Sequence, residues 1–361
     1  METTGTYYVF DRANTPLRKQ ITTLPSLADS EILVRISYAA LCGSDLHTYC
    51  GLRQEPCPTI LGHEIVGTIA TISPTHPGKD ARGVPLKVGD LITWTVFSSD
   101  PNSKEYQTET PQKNSNIYKY GHRQITETDN FHGGLATHII LRKYTYIRIL
   151  PSDFPQAIAA TINCAIATSA GAIRLAGSLS GKTVHVAGIG LLGLTTIAMC
   201  KELGADVIIA SDIDENRLTL AKEFGATHTV NNKLSDPSPL FSEHPVDRFI
   251  DMSGSPQAME NGVDSLTLYG RAVFVGAVFK QPKIGISAEQ VIRKMLTIQG
   301  LHNYNYADFD FAVDFILAHV KKYPFASLIE QDFPLDEANE AFHFALQKKP
   351  IRTGIYIPKA Q

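Results

Sequence analysis

Two cysteines and a histidine stand where a metal could be held. Cys42 opens the run Cys42-Gly43-Ser44-Asp45-Leu46-His47, and Gly62-His63-Glu64 follows downstream. Thiolate and imidazole are favoured zinc ligands, and a catalytic zinc keeps one position open for substrate. Cys42 and His63 offer two ligands. The third has to come from elsewhere, and Cys164, in the run INCAIATSAG, is the best placed. A site built this way is expected in the cleft between two domains. Each residue alone also has a plainer reading. A cysteine is commonly a small buried hydrophobe, and a histidine commonly packs or hydrogen-bonds. A second signature gives the set its weight.

That signature is Gly188-Ile189-Gly190-Leu191-Leu192-Gly193, which follows the strand-like TVHVA and opens a helix-like run. The first glycine allows a tight turn, the second lets a pyrophosphate approach the backbone, and the third lets helix and strand pack closely. The helix N-terminus adds free N–H groups and partial positive charge for phosphates. The next strand-like run ends at Asp212. An acid roughly 20 residues past the glycines accepts from the adenosine ribose and repels a 2′-phosphate, so NAD is favoured over NADP. Arg217 nearby could instead help to hold that phosphate. A glycine turn that binds nothing is the plainer alternative.

The elements around these residues fall into two textures. Up to about residue 150 the chain carries short strand-like runs, such as EILVRISYAAL (31–41), EIVGTIATI (64–72), VGDLITWTV (88–96) and LATHIILRK (135–143). Turn residues separate them, as in an all-β module. From about residue 155 an Ala-rich helical run leads into alternating strands and helices, which argues for a doubly wound parallel sheet. Gly204 and Gly225 fall where two helices should end. The fold class is therefore α/β, and a length of 361 residues suits two domains. The tail carries a helix-like run (308–322) and the strand-like TGIYIP (353–358), and could return to the first module. A polar stretch between Phe97 and His132 is too long for an ordinary connection.

Composition narrows the partners. With 33 basic and 36 acidic residues, the formal charge of −3 gives no reason to expect nucleic acid or an anionic membrane. No apolar run approaches the roughly 18 residues of a membrane helix, and the start lacks the layout of a secretory signal. Five scattered cysteines suggest thiols or metal ligands rather than disulfides. The chain reads as cytoplasmic.

Together, CGSDLH, GHE, a Cys before the Ala-rich helix and AGIGLLG…SDID resemble the zinc-dependent alcohol dehydrogenases of the medium-chain dehydrogenase/reductase superfamily. The resemblance runs in the same order over nearly the whole chain. It implies a GroES-like catalytic domain over 1–154, completed by 301–361, and a Rossmann domain over 155–300. It implies that Cys42, His63 and Cys164 bind the catalytic zinc, that Glu64 lies behind the metal, and that Asp45 orients His63. Ser44 and His47 match the family's proton relay. Zinc there acts as a Lewis acid on an alcohol whose hydride passes to the nicotinamide. Arg352 matches an arginine that reaches the cofactor phosphates. Many relatives hold a second, structural zinc with four close cysteines, but residues 97–116 contain none, so one zinc per subunit is expected. Cys50 and Cys57 then read as free thiols.

For substrate, Pro111-Gln112-Lys113-Asn114 and Tyr118-Lys119-Tyr120-Gly121-His122 are similar to a subgroup proposed to act in phosphonate metabolism. That resemblance implies a hydroxyalkylphosphonate or a related aldehyde. Arg53, Lys119, His122, Arg123 and His302 could pair with its dianion, or be solvated surface charges and packing groups. The alternatives are a polyol or secondary-alcohol dehydrogenase, a zinc-free reductase of activated double bonds, and a dinucleotide-binding protein without catalysis. The run MLTIQG (295–300) could be an edge strand that pairs with a twofold mate, giving a homodimer or homotetramer.

Overall fold

In the computed structural model, which describes residues 3–358, the chain opens with a hairpin of β1 (Thr4–Val9) and β2 (Arg18–Thr23). Neither strand stands out in the sequence, because β2 alternates only weakly and carries charge at both of its first positions. The main sheet of this unit follows: β3 (Ile32–Leu41), then helix α1 (Gly43–Tyr49), β4 (Glu64–Ile72) and β5 (Leu91–Ser98). After the short α2 (Lys104–Gln107) come β6 (Tyr118–Lys119), β7 (His138–Leu141) and β8 (Thr145–Ile149). The sheet is largely antiparallel around β3, β4 and β5. Its core is aromatic and aliphatic, with Trp94, Tyr120, Phe131 and Phe342 wholly buried.

Register brings the sheet's chemistry to one end. β3 and β4 are antiparallel with Ala40 opposite Glu64, so the residues after β3 lie beside the residues before β4. Cys42 and His63 occupy those two positions.

Helix α3 (Gln156–Thr161) packs on β3 and β4. The Ala-rich run predicted as one helix continues through a π-helical turn at Ile162–Ile166 into α4 (Ala167–Ala176). By length and composition, Gln156–Ala176 is the one helix among the described residues that could cross a membrane. It is mostly buried in protein, as core helices are.

The second unit is an α/β layer structure. Its strands and helices alternate: β9 (Thr183–Ala187), α5 (Leu191–Glu202), β10 (Val207–Asp212), α6 (Glu215–Glu223), β11 (His228–Asn231), α7 (Ser238–Glu243), β12 (Val246–Asp251), α8 (Pro256–Asp264), β13 (Leu266–Phe274), α9 (Ala288–Arg293) and β14 (Thr297–Gly300). All six strands are parallel, in the order β11-β10-β9-β12-β13-β14. Strand order reverses beside β9, so a crevice opens at the carboxyl ends of β9 and its neighbours. Gly204 and Gly225, both at positive φ, end α5 and α6 as the sequence suggests.

α10 (Tyr306–His319) belongs to this second unit. It packs on α4, where Asp308 accepts from the Arg174 guanidinium at 2.7 and 2.9 Å. Only β15 (Ile329–Pro334), α11 (Ala338–Lys348) and β16 (Arg352–Tyr356) return to the first sheet, where β16 pairs with β3. The two units are thus 1–164 with 325–361, and 165–324. The sequence pattern places these changes at 154/155 and 300/301; α3 instead packs on β3 and β4, and α10 on α4, which moves both boundaries later.

Candidate active site

In the first unit, the donor atoms of Cys42, His63 and Cys164 lie within 4.8 Å of one another. Cys42 caps α1, where β3 has just ended, and His63 immediately precedes β4. Cys164 sits in the π-helical turn, whose neighbouring Asn163 accepts from the Ile65 N–H at 3.4 Å. Two sulfurs and an imidazole nitrogen converging at this range suit zinc's ligand preferences and leave room for a fourth ligand.

Asp45 ties these pieces together. It is 2% exposed. Its carboxylate accepts from the Cys42 N–H at 3.0 Å, from the Gly62 N–H at 3.1 Å and from His63 Nδ1 at 3.1 Å. Because a carboxylate only accepts, Nδ1 carries a hydrogen, which leaves Nε2 as the nitrogen a metal would take by displacing its proton. Burial disfavours charge on His63, but Asp45 and Cys42 outweigh it and raise the imidazole to about 10. Cys42 is held well below the ordinary thiol range by the Cys164 S–H, against burial and with help from Arg352 and His63. Cys164, as donor to Cys42 and by burial, is pushed well above that range. The pair holds one proton, which a metal would displace.

The remaining residues expected here take distinct places. Ser44 Oγ lies 3.3 Å from His63 Nε2. His47, one turn on in α1, has its charge disfavoured by burial, partly offset by Cys42. Glu64 is fully buried, and both its oxygens accept from Arg352 at 2.9 and 3.1 Å. Arg352, expected to reach cofactor phosphates, starts β16 beside the end of β3 and also lies 3.8 Å from Cys42 Sγ. Burial raises Glu64 to about 7, against the pull of Arg352.

In the second unit a cavity of about 480 Å³ lies at the crevice beside β9, lined by Gly188, Gly190, Asp212 and Arg217 among others. Gly188 has φ +89°, and a Cβ there would meet Ser253 at 2.5 Å. A Cβ on Gly193 would meet the Gly188 carbonyl at 2.1 Å, whereas one on Gly190 would meet nothing within 4 Å. So the first and third glycines are forced by packing, and the second faces open space. No side chain caps α5, whose first turn carries Leu191, Leu192 and Gly193. Leu191 itself is packed in the core. Asp212 accepts from the Ile189 N–H at 2.6 Å, which fixes the glycine turn against the end of β10.

Two features escaped the sequence reading. Asp251, at the end of β12, accepts from Ser253 and from the N–H groups of Gly254 and Gly276, and so shapes the crevice. Glu55 accepts from Arg53 at 2.7 Å and from His122 Nδ1 at 2.9 Å. A single acid in a polar loop gives no periodic or motif signal. Of the basic residues singled out, Arg53, Lys119 and His122 gather near the metal-binding group. Arg123 is exposed beside Asp129, and His302 is exposed in the second unit.

Comparison with known proteins agrees with this geometry. Residues 28–151 match the alcohol dehydrogenase GroES-like domain, and residues 192–318 match the zinc-binding dehydrogenase domain. The chain is 30% identical to 5-exo-hydroxycamphor dehydrogenase of Pseudomonas putida, covering 86% of this chain and 87% of that one. It is 26% identical to D-arabitol-phosphate dehydrogenase of Enterococcus avium, covering 92% and 91%. A crystal structure of an alcohol dehydrogenase from Thermotoga maritima superposes with a TM-score of 0.92 at 26% identity, covering 99% of this chain and 100% of that one. The chain belongs to the zinc-dependent alcohol dehydrogenases of the medium-chain dehydrogenase/reductase superfamily, oxidoreductases that act on CH–OH donors.

Proposed function

We propose that this chain interconverts an alcohol and a carbonyl with one zinc, held by Cys42, His63 and Cys164, and with NAD in preference to NADP. The observation that carries this reading is the convergence of those three donor atoms within 4.8 Å, with His63 fixed by Asp45. When bound, zinc supplies Lewis-acid polarisation of the alcohol oxygen, and the nicotinamide supplies the hydride acceptor. Ser44 Oγ, beside His63, takes the substrate hydroxyl proton. His47, kept neutral by burial, accepts it further out on the same helix. Glu64, anchored by Arg352, would lie behind a bound metal. A single zinc is supported by the absence of cysteine from residues 97–116. The buried Asn114, which donates to Ser99 Oγ at 3.1 Å, ties that lobe together instead.

NAD is supported by Asp212 in the cavity of the second unit, with Arg217 on the same wall. Gly188 and Gly190 line that cavity, and they and the first-turn N–H groups of Leu191, Leu192 and Gly193 would hold the pyrophosphate. The test is cofactor preference. In Asp212→Ser the ratio of kcat/KM for NAD over NADP should fall at least tenfold, and an unchanged ratio counts against the assignment.

The finer substrate is an alcohol carrying a phosphonate, a hydroxyalkylphosphonate. Likeness to a dehydrogenase named for a polyol phosphate supports it. So does the gathering of Arg53, Lys119 and His122. A neutral secondary alcohol is the second reading, supported by likeness to a hydroxycamphor dehydrogenase. A homodimer or homotetramer formed through β14 is supported by its place at the sheet edge and by exposed Leu268, Tyr269, Ile292 and Met295 nearby. Five free cysteines support a reducing, cytoplasmic setting.

A further inference from the structure

The crevice of the second unit has a carboxylate on each side of β9. Asp212 ends β10 and Asp251 ends β12, and both strands pair with β9. Asp212 lines the cavity beside Arg217. Asp251 is wholly buried and lies one hydrogen bond behind the cavity wall. Its Oδ1 accepts from the Ser253 hydroxyl at 2.6 Å, and Ser253 is part of the lining.

The other partners of Asp251 are backbone groups. Its oxygens accept from the N–H of Ser253 at 3.1 Å, of Gly254 at 3.2 Å and of Gly276 at 3.3 Å. The Ser253 hydroxyl is itself oriented, because it accepts from the Ser255 N–H at 3.0 Å. Every group around the carboxylate is thus a donor. A protonated carboxyl would turn its own hydrogen against one of them, so this set favours the ionised form. Burial raises the carboxyl above its ordinary range, and the bonds from Ser253, Gly254 and Gly276 oppose it. All these partners are electrically neutral, and among the described residues no cation pairs with Asp251. One negative charge therefore stands beneath the crevice, where screening by water is weak. The loops above it are closely packed. A Cβ on Gly188 would meet Ser253 at 2.5 Å, and one on Gly276 would meet the Gly254 nitrogen at 2.2 Å.

Strand order decides which half of a dinucleotide lies over that charge. The glycine turn after β9 suits the pyrophosphate, and Asp212 on the β10 side suits the adenosine ribose. The other half then runs to the opposite side of β9, over the ends of β12 and β13. That half carries the nicotinamide, whose ring is positively charged when oxidised and neutral when reduced.

We infer that the buried carboxylate of Asp251 favours the oxidised over the reduced nicotinamide cofactor in this crevice. The inference rests on the proposed use of NAD and deepens it. Asp251 acts through its field, from behind Ser253, and not by contact with the cofactor.

The test titrates the zinc-loaded enzyme by calorimetry with NAD+, NADH and ADP-ribose, which lacks the nicotinamide. Asp251→Asn keeps the size of the side chain and removes the charge. The ratio of Kd for NAD+ to Kd for NADH should then rise by roughly threefold or more, with ADP-ribose following NADH. Ser253→Ala removes one tie and keeps the charge, so it should leave that ratio unchanged even where both affinities fall. A purely structural role weakens all three ligands together. Equal losses in Asp251→Asn, or a raised ratio in Ser253→Ala, overturn the inference. Thermal melting shows which variants fold. Should Asp251→Asn fail to fold, Asp251→Ser carries the same comparison, and Ser253→Ala still tests the separation of charge from shape. A parent enzyme that binds none of the three ligands overturns the dinucleotide reading and the inference with it. A parent that binds all three, with a ratio that Asp251→Asn does not move, keeps the reading and loses the inference alone.

Discussion

Cys42 and His63 reach their positions through one carboxylate. Asp45 takes the backbone N–H of Cys42 and of Gly62 as well as His63 Nδ1. It therefore fixes the segment that carries each ligand and also the tautomer of the imidazole. Asp45→Asn keeps the shape but loses the charge and one set of acceptors. Zinc affinity, read by competition with a chelator, should fall roughly 10–100-fold, as for other groups that orient metal ligands. An unchanged affinity would show that the helix alone positions the site. At this scale the sequence was informative where residue types are rare and ordered, as for Cys42, His63 and Cys164. It was silent on Glu55, because one acid in a polar loop has no pattern. It was partial on Arg352, whose likeness to a phosphate-reaching arginine did not disclose the paired contact with Glu64.

At the scale of elements, the turn between β9 and α5 is set by two close approaches and one open position. Gly193→Ala would drive a methyl into the Gly188 carbonyl, 2.1 Å from the ideal Cβ, so the start of α5 must move. Its melting temperature and its NADH affinity should both fall. Gly190→Ala meets nothing within 4 Å. It should melt like the parent yet bind NADH more weakly, since the methyl occupies the approach of the pyrophosphate. Equal NADH binding by Gly190→Ala in a fluorescence titration counts against that placement. The alternation of strands and helices in this half was legible because each run is long and periodic. The π-helical turn at Ile162–Ile166 was not, because an Ala-rich run has the same apolar pattern with or without an extra residue in the turn. The side of α10 was also hidden. It rests on the packing of α10, with Phe309, Ala312, Val313 and Ile316 buried, and on the Arg174–Asp308 ion pair with α4, contacts between residues far apart in sequence.

Across the whole molecule, two buried histidines make stability depend on acid. Burial lowers His185 to about 3 and His132 to about 4. Both remain neutral in the folded chain, while in the unfolded chain they take up protons below about pH 6.5. Their contribution is therefore fully present above about pH 6.5 and declines as pH falls toward about 4 and 3. The slope is up to about 1.4 kcal/mol per pH unit for each histidine. His132→Leu, which removes one of them, should flatten the fall of the melting temperature between pH 6.5 and 4.5. An identical slope would show that other groups set it.

The account turns on a single metal held by Cys42, His63 and Cys164. The most direct measurement is the zinc content of the purified chain by mass spectrometry, followed through chelation alongside NADH binding and alcohol oxidation. The expected result is one zinc per chain, whose removal abolishes oxidation while NADH still binds. Two zincs per chain, or full oxidation after the zinc is gone, would contradict it.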